Sequence, residues 1–130
     1  MATRTHAREA VVGMLYAYEI GNKDIVKQID LILEEKKIRN KQKRFTVELF
    51  DGVLQNLKLC DEEISSKLIK RGIGDIGAVE KAILRLSVYE MLFSDTQKAV
   101  IINEAIELSK ILASDSSPKF INAVLDKINR

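Results

Sequence analysis

Residues 79–90 read VEKAILRLSVYE, and after a short break residues 100–110 read VIINEAIELSK. Wound at ~3.6 residues per turn, the first segment and its continuation place Val79, Ala82, Ile83, Leu86, Tyr89 and Phe93 on one face. Leu84, Val88, Met91 and Leu92 cover much of the other side. A helix that is apolar on two sides is sandwiched between neighbours. The stretch therefore predicts the central helix of an all-α domain. One residue breaks its pattern: Glu90 falls inside the main apolar face. A buried carboxylate needs donors or it neutralises. Glu90 is therefore expected to accept from a neighbouring helix N-terminus or a basic side chain, in a structural role.

Working outward, the remaining segments also read as helices. Thr3 or Thr5 caps a first helix that stops near Gly21–Asn22, with Ala7, Ala10, Val11, Met14 and Tyr18 inward and Val12, Tyr16 and Ile20 outward. Asp24 caps a second helix carrying Ile25, Ile29, Ile32 and Leu33. A third covers about 41–59 with the stripe Phe45, Leu49, Val53 and Leu57, and Asp61 starts a short fourth that Gly72 and Gly74 stop. Asp75 caps the central helix, Asp95–Thr96 breaks it, and the next helix covers 99–113. Ser117 followed by Pro118 opens the last, which buries Ile121, Val124, Leu125 and Ile128. About seven helices with short connections make a compact bundle, expected as a single domain over residues 1–130.

Composition narrows the function classes. The 130 residues are 46% hydrophobic and 31% charged, with one Pro and no Trp, which suits a helical core with a soluble surface. The formal charge is only +2, so a nucleic-acid site must come from uneven charge placement. Cys60 is the single cysteine, which excludes an intrachain disulfide framework and fits a reducing compartment. No apolar run reaches the ~20 residues of a membrane span, and the basic start lacks the apolar segment of a signal peptide. A cytoplasmic location is expected, with no membrane partner. Enzyme chemistry finds little support. The glycines of RGIGDIG (71–77) do not follow a strand, no Cys/His cluster suits a metal, and Cys60 lacks a His partner. No cofactor is expected.

Charge is unevenly placed. Arg4, His6 and Arg8 open the chain with no acid before Glu9. Cations at a helix N-terminus oppose the macrodipole, so either a phosphate partner or a solvated terminus accounts for them. Lys36, Lys37, Arg39, Lys41, Lys43 and Arg44 form a second acid-free run across a helix break. That run suits phosphate contacts or, more simply, a solvated loop. Lys119 and Phe120 stand at the start of the last helix. Phe120 lies at the edge of its apolar stripe, where it serves as core or as a ring that stacks an unpaired base. Tyr16 points away from the first helix's inner side, as interface tyrosines do. Glu80 opens the central helix, where an acid favours the dipole.

The strings VEKAILRLSVYE (79–90), INEAIELSK (102–110) and KFINAVLDK (119–127), together with the opening RTHARE (4–9), resemble the signature regions of the NusB family of bacterial transcription antitermination factors. The resemblance runs from Arg4 to Lys127. It implies an all-α NusB-like fold without catalysis. It also implies binding of single-stranded boxA RNA of nascent ribosomal RNA transcripts together with NusE, a ribosomal small-subunit protein, which helps RNA polymerase resist termination. It assigns Arg4, His6, Arg8, Lys119 and Phe120 to RNA, and Tyr16 and Glu80 to the NusE surface. The chain departs from the family in carrying Thr5 and His6 where members often have further Arg. Family members differ in oligomeric state, so a homodimer, which would cover the basic surface, stays open. Two other readings compete: a helical protein-binding adaptor without RNA affinity, and a domain of the kind found fused to ribosomal RNA cytosine methyltransferases. Nothing in this chain resembles a methyl-donor site.

Overall fold

The computed structural model describes residues 2–129. Among these there are seven α-helices: α1 (Arg4–Glu19), α2 (Ile29–Glu35), α3 (Asn40–Gln55), α4 (Leu57–Lys67), α5 (Ala78–Phe93), α6 (Lys98–Leu112) and α7 (Ser117–Asp126). The stretch that opened the reading is the axis of the molecule. Helix α5 packs against α1, α3, α4, α6 and α7, while α6 and α7 pair with each other. Ile83, Leu84, Leu86 and Val88 are at most 1% exposed, although they point in different directions around the helix. Each such side chain contributes about 1.5–3 kcal/mol on burial, which is why a helix apolar on both sides sits at the centre.

Local chemistry explains most of the ends. Thr3 caps α1 by accepting from the His6 backbone N–H at 3.3 Å, and the Thr3 backbone N–H donates to His6 Nδ1 at 3.0 Å. Gly21, at φ +113°, closes α1: the N–H of Asn22 reaches the carbonyl of Ala17 at 2.9 Å, a 6→1 bond that needs a left-handed residue between. Five expected boundaries shift. Residues Lys23–Gln28 form a 3-10 turn before α2, so Asp24 does not cap a continuous helix. The apolar stripe read through 41–59 is cut at Asn56, whose side-chain amide donates to the carbonyl of Gly52 at 2.8 Å. Helix α4 thus begins at Leu57 rather than Asp61. Asp75 accepts from the backbone of Gly72 at 3.1 Å and closes a 3-10 turn, while Gly77 stands at the α5 N-cap. Ser116, not Ser117, is the α7 N-cap. Val12, expected outward, is 1% exposed because α1 is gripped by both α3 and α5.

A buried cation joins three helices. Arg85 donates to both carboxylate oxygens of Asp61 on α4 at 2.8 Å each and to Glu19 on α1 at 2.8 Å. Lys81 adds a bond to Glu19 at 3.0 Å. Burial alone would raise the Glu19 carboxyl, but the hydrogen bonds from Arg85 and Lys81 outweigh it and hold the group below its ordinary 4.5. A depressed carboxylate stabilises the fold above its unfolded value. That contribution is complete above about pH 5 and is lost as pH falls through the folded value. Acid titration followed by circular dichroism should show Glu19→Gln unfolding over a flatter pH range below pH 5 than the parent. Superimposable acid limbs would remove Glu19 from the linkage. Cys60, at the same junction, has no exposed surface, and burial next to Asp61 pushes its thiol up to about 11. It stays protonated at neutral pH.

Candidate nucleic-acid interface

The basic start of the chain splits into two environments. Arg4 and His6 are exposed, whereas Arg8 is 3% exposed. Arg8 Nε donates to Glu90 Oε2 at 2.9 Å and its NH2 to Oε1 at 2.8 Å, a two-pronged pair inside the core. Glu104 lies at 3.5 Å from NH1 and also accepts from Thr5 at 2.9 Å. Burial would lower the Arg8 guanidinium, but the hydrogen bond and charge of Glu90 more than compensate and keep it raised. This supplies the partner expected for Glu90. It also corrects the placement of Arg8 on the open surface: its charge is turned inward and already neutralised.

Arg4 instead lies over the ring of Phe45 on α3, 4.4 Å from the centroid, an attraction of the guanidinium to the ring face. His6 Nδ1 is engaged by the Thr3 backbone, so in the neutral ring the proton sits on Nε2 and remains a donor. The second basic run comes to the same place. Lys36 and Lys37 line a groove of about 350 Å³ with His6, Glu9 and Ile38. The loop is held there by its backbone. Lys37 is left-handed at φ 57°, the N–H of Ile38 reaches the carbonyl of Leu33 at 2.9 Å, and Ile38 is buried. Lys36 and Lys37 form no ion pair with another described residue, whereas Arg39 and Lys43 are paired with Glu34 and Asp30. His6 of the first basic cluster and Lys36 and Lys37 of the second, far apart in the chain, thus line one groove, with Glu9 also in its wall.

Lys119 and Phe120 occupy the first turn of α7, at the other end of α5. Glu90, which holds Arg8, and Glu80, which accepts from Ser117 of α7 at 2.6 Å, are about 15 Å apart along the α5 axis at ~1.5 Å per residue. The residues that the resemblance assigns to RNA are therefore divided between two stations, not gathered on one. Lys119 is exposed. Phe120 is half-buried, and the guanidinium of Arg71 lies 4.1 Å from its ring centroid. Sequence reading missed Arg71 as a site residue, since it entered only as the first residue of the glycine run RGIGDIG. Its one signal was a basic pair on an exposed loop.

Tyr16 and Glu80 are brought together. They line one cleft with Gly77, Leu112 and Ser117, between α1, α5, α6 and the start of α7. Tyr16 is 39% exposed and Leu112, on the same cleft, 36%, an apolar rim with a hydroxyl at its edge. Glu80 is half-buried and fixes the start of α7 through Ser117. The same bond places Lys119 and Phe120 beside the cleft.

Known proteins share this helical fold. The family model described as "NusB family" matches residues 5–130. The transcription antitermination protein NusB of Aliarcobacter butzleri (strain RM4018) is 62% identical over 128 residues, covering 98% of each chain. Among solved structures, T. maritima NusB superposes with a TM-score of 0.85 at 33% identity, over 97% of this chain and 89% of that one. A crystal structure of antitermination factors NusB and NusE in complex with dsRNA superposes with a TM-score of 0.85 at 27% identity, over 95% and 92%. With a family match across nearly every residue, and with its helices in the same places, the chain belongs to the NusB family.

Proposed function

We propose that residues 1–130 act as one non-catalytic unit in transcription antitermination, binding single-stranded boxA RNA of nascent ribosomal RNA transcripts together with NusE so that RNA polymerase resists termination. RNA meets two stations. Arg4 and His6, extended by Lys36 and Lys37, attract phosphates at one end of α5; at the other, Lys119 attracts phosphate and Phe120 stacks an unpaired base. NusE occupies the cleft of Tyr16 and Glu80. Arg8 does not touch RNA in this reading; it holds the α1 N-terminus against α5 so that Arg4 and His6 are presented.

The observation that carries the reading is the Glu80–Ser117 bond, which makes the partner cleft and the second RNA station parts of one helix junction. A partner that orders this junction lowers the cost of ordering it for RNA, so the two ligands bind with positive coupling. Similarity to a crystal structure of NusB and NusE in complex with dsRNA supports the pairing of RNA and NusE as ligands.

Fluorescence anisotropy with a labelled boxA-like strand, across a salt series and with and without NusE, tests it. The mixture should bind more tightly than the chain alone. Arg4→Ala and Lys119→Ala should each weaken binding and flatten the log–log salt slope by about 0.7, the value for one phosphate contact on a single strand. No binding by either the chain or the mixture would leave the protein-binding adaptor as the reading, with the Tyr16 cleft as its site.

A further inference from the structure

A groove of about 390 Å³ lies beyond Phe120, between α7 and the connection that follows α4. Its walls are apolar. Leu68 and Ile69 form one side, and Ala123 and Val124 of α7 form the other. Ile69 is 79% exposed, an unusual position for an isoleucine with nothing else to cover. Lys70 and Arg71 stand on one rim and Lys127 on the other, with no acidic residue among the described lining residues. At the mouth, the guanidinium carbon of Arg71 lies over the Phe120 ring, 4.1 Å from its centroid. Arg71 as a whole is exposed, so its guanidinium is open to a ligand.

We propose that this groove is a nucleobase subsite: one unpaired base of a single-stranded RNA stacks on the guanidinium plane of Arg71 and enters between Ile69 and Val124, while the flanking phosphodiesters meet Lys70 and Lys127. The chemistry of the walls selects this occupant. A base has two apolar π-faces and a polar edge, and it carries an anionic linker on each side. The groove offers a flat cation–ring stack, apolar flanks and cations at both rims. Arg planes and aromatic rings are the usual stacking partners of splayed-out bases. The volume falls at the small end of the ~300–1,000 Å³ typical of ligand sites, enough for one planar group. An amphipathic peptide helix would need anchor pockets repeated along a longer face. The groove also continues the Lys119–Phe120 station without a gap, because Phe120 belongs to both. The inference rests on the reading that the chain binds single-stranded RNA, and it adds where a base is held and by which residue.

The test uses the full chain and a labelled single-stranded boxA-like RNA, alone and with one nucleotide at a time made abasic. Arg71→Ala should weaken binding about 5- to 100-fold, the range for losing one stacked base. Arg71→Lys keeps the charge and loses the plane, so it should be nearly as weak. One abasic position should weaken the parent by a similar factor and have no further effect on Arg71→Ala. Ala123→Trp, at an exposed position, should block the groove without disturbing the fold, with thermal melts as the check. If the parent binds RNA but Arg71→Lys binds equally well, or every abasic penalty persists in Arg71→Ala, the subsite is wrong and the RNA reading stands. If Ala123→Trp spares RNA and abolishes NusE binding, the groove is a protein site and the proposal is overturned. If the parent binds no RNA under any condition, both fall together.

Discussion

Arg8→Ala should unfold with a loss of about 3–5 kcal/mol, the cost of leaving a buried charge without its partner. The carboxylate of Glu90 is 2% exposed and receives two hydrogen bonds from Arg8 at 2.8 and 2.9 Å. No water can replace that guanidinium without opening the contact between α1 and α5. The melting temperature should fall by roughly 10 °C or more for a chain of this size. Urea unfolding of three variants separates the explanations. Arg8→Ala and Glu90→Ala should each be severely destabilised. The double variant Arg8→Met with Glu90→Leu should recover much of the loss, because two apolar groups need no pairing. A cost below about 1 kcal/mol for Arg8→Ala would mean that the pair is solvated after all. Loss of RNA binding in Arg8→Ala is then to be read through the melt, since the variant also releases the turn that carries Arg4 and His6.

Gly52→Ala should cost about 1–3 kcal/mol through overpacking, although alanine is the better helix former. Gly52 is buried in α3, and a Cβ there would overlap the ring of Tyr89 on α5. Moving the Tyr89 ring aside gives up its stack on Phe93, whose centroid lies 5.2 Å away. The close approach of α3 to α5 therefore depends on the missing side chain. Gly13→Ala makes the control: nothing lies within 4 Å of a Cβ there, so that variant should be neutral or slightly more stable. Removing the obstacle should restore Gly52→Ala, so Gly52→Ala with Tyr89→Leu should lose less than the sum of the two single changes. Additive losses would show that the ring is not what Gly52 accommodates.

The two variants also show how far the sequence could be read. Helix number and the central place of α5 followed from periodicity, because a helix with apolar residues on both sides has no other stable position. Gly21 marked the end of α1 for a local reason, the left-handed residue that a helix stop requires. The break at Asn56 was not legible. The apolar spacing of α3 runs on into Leu57, and the turn is set by one side-chain bond to the backbone. The burial of Glu90 could be inferred from the helical wheel, but its partner lies 82 residues away in the chain. The same limit misplaced Arg8. At a helix N-terminus an arginine and a free phosphate-binding charge look alike until the neighbouring helix is known. Arg71 on Phe120, and Lys36 and Lys37 beside His6, are likewise meetings of distant segments that no local pattern records.

By itself the sequence determined an all-helical chain threaded around one apolar helix, and the quoted strings carried its resemblance to the NusB family. Both depend on interactions within a few turns of helix or on the order of residues. Only the tertiary structure decided which charges face solvent. Arg4 and Arg8 share a helix and a side-chain class, but α5 presents a carboxylate to one and α3 a ring to the other. Charge availability depends on what packs against a residue, and packing is a property of the folded whole.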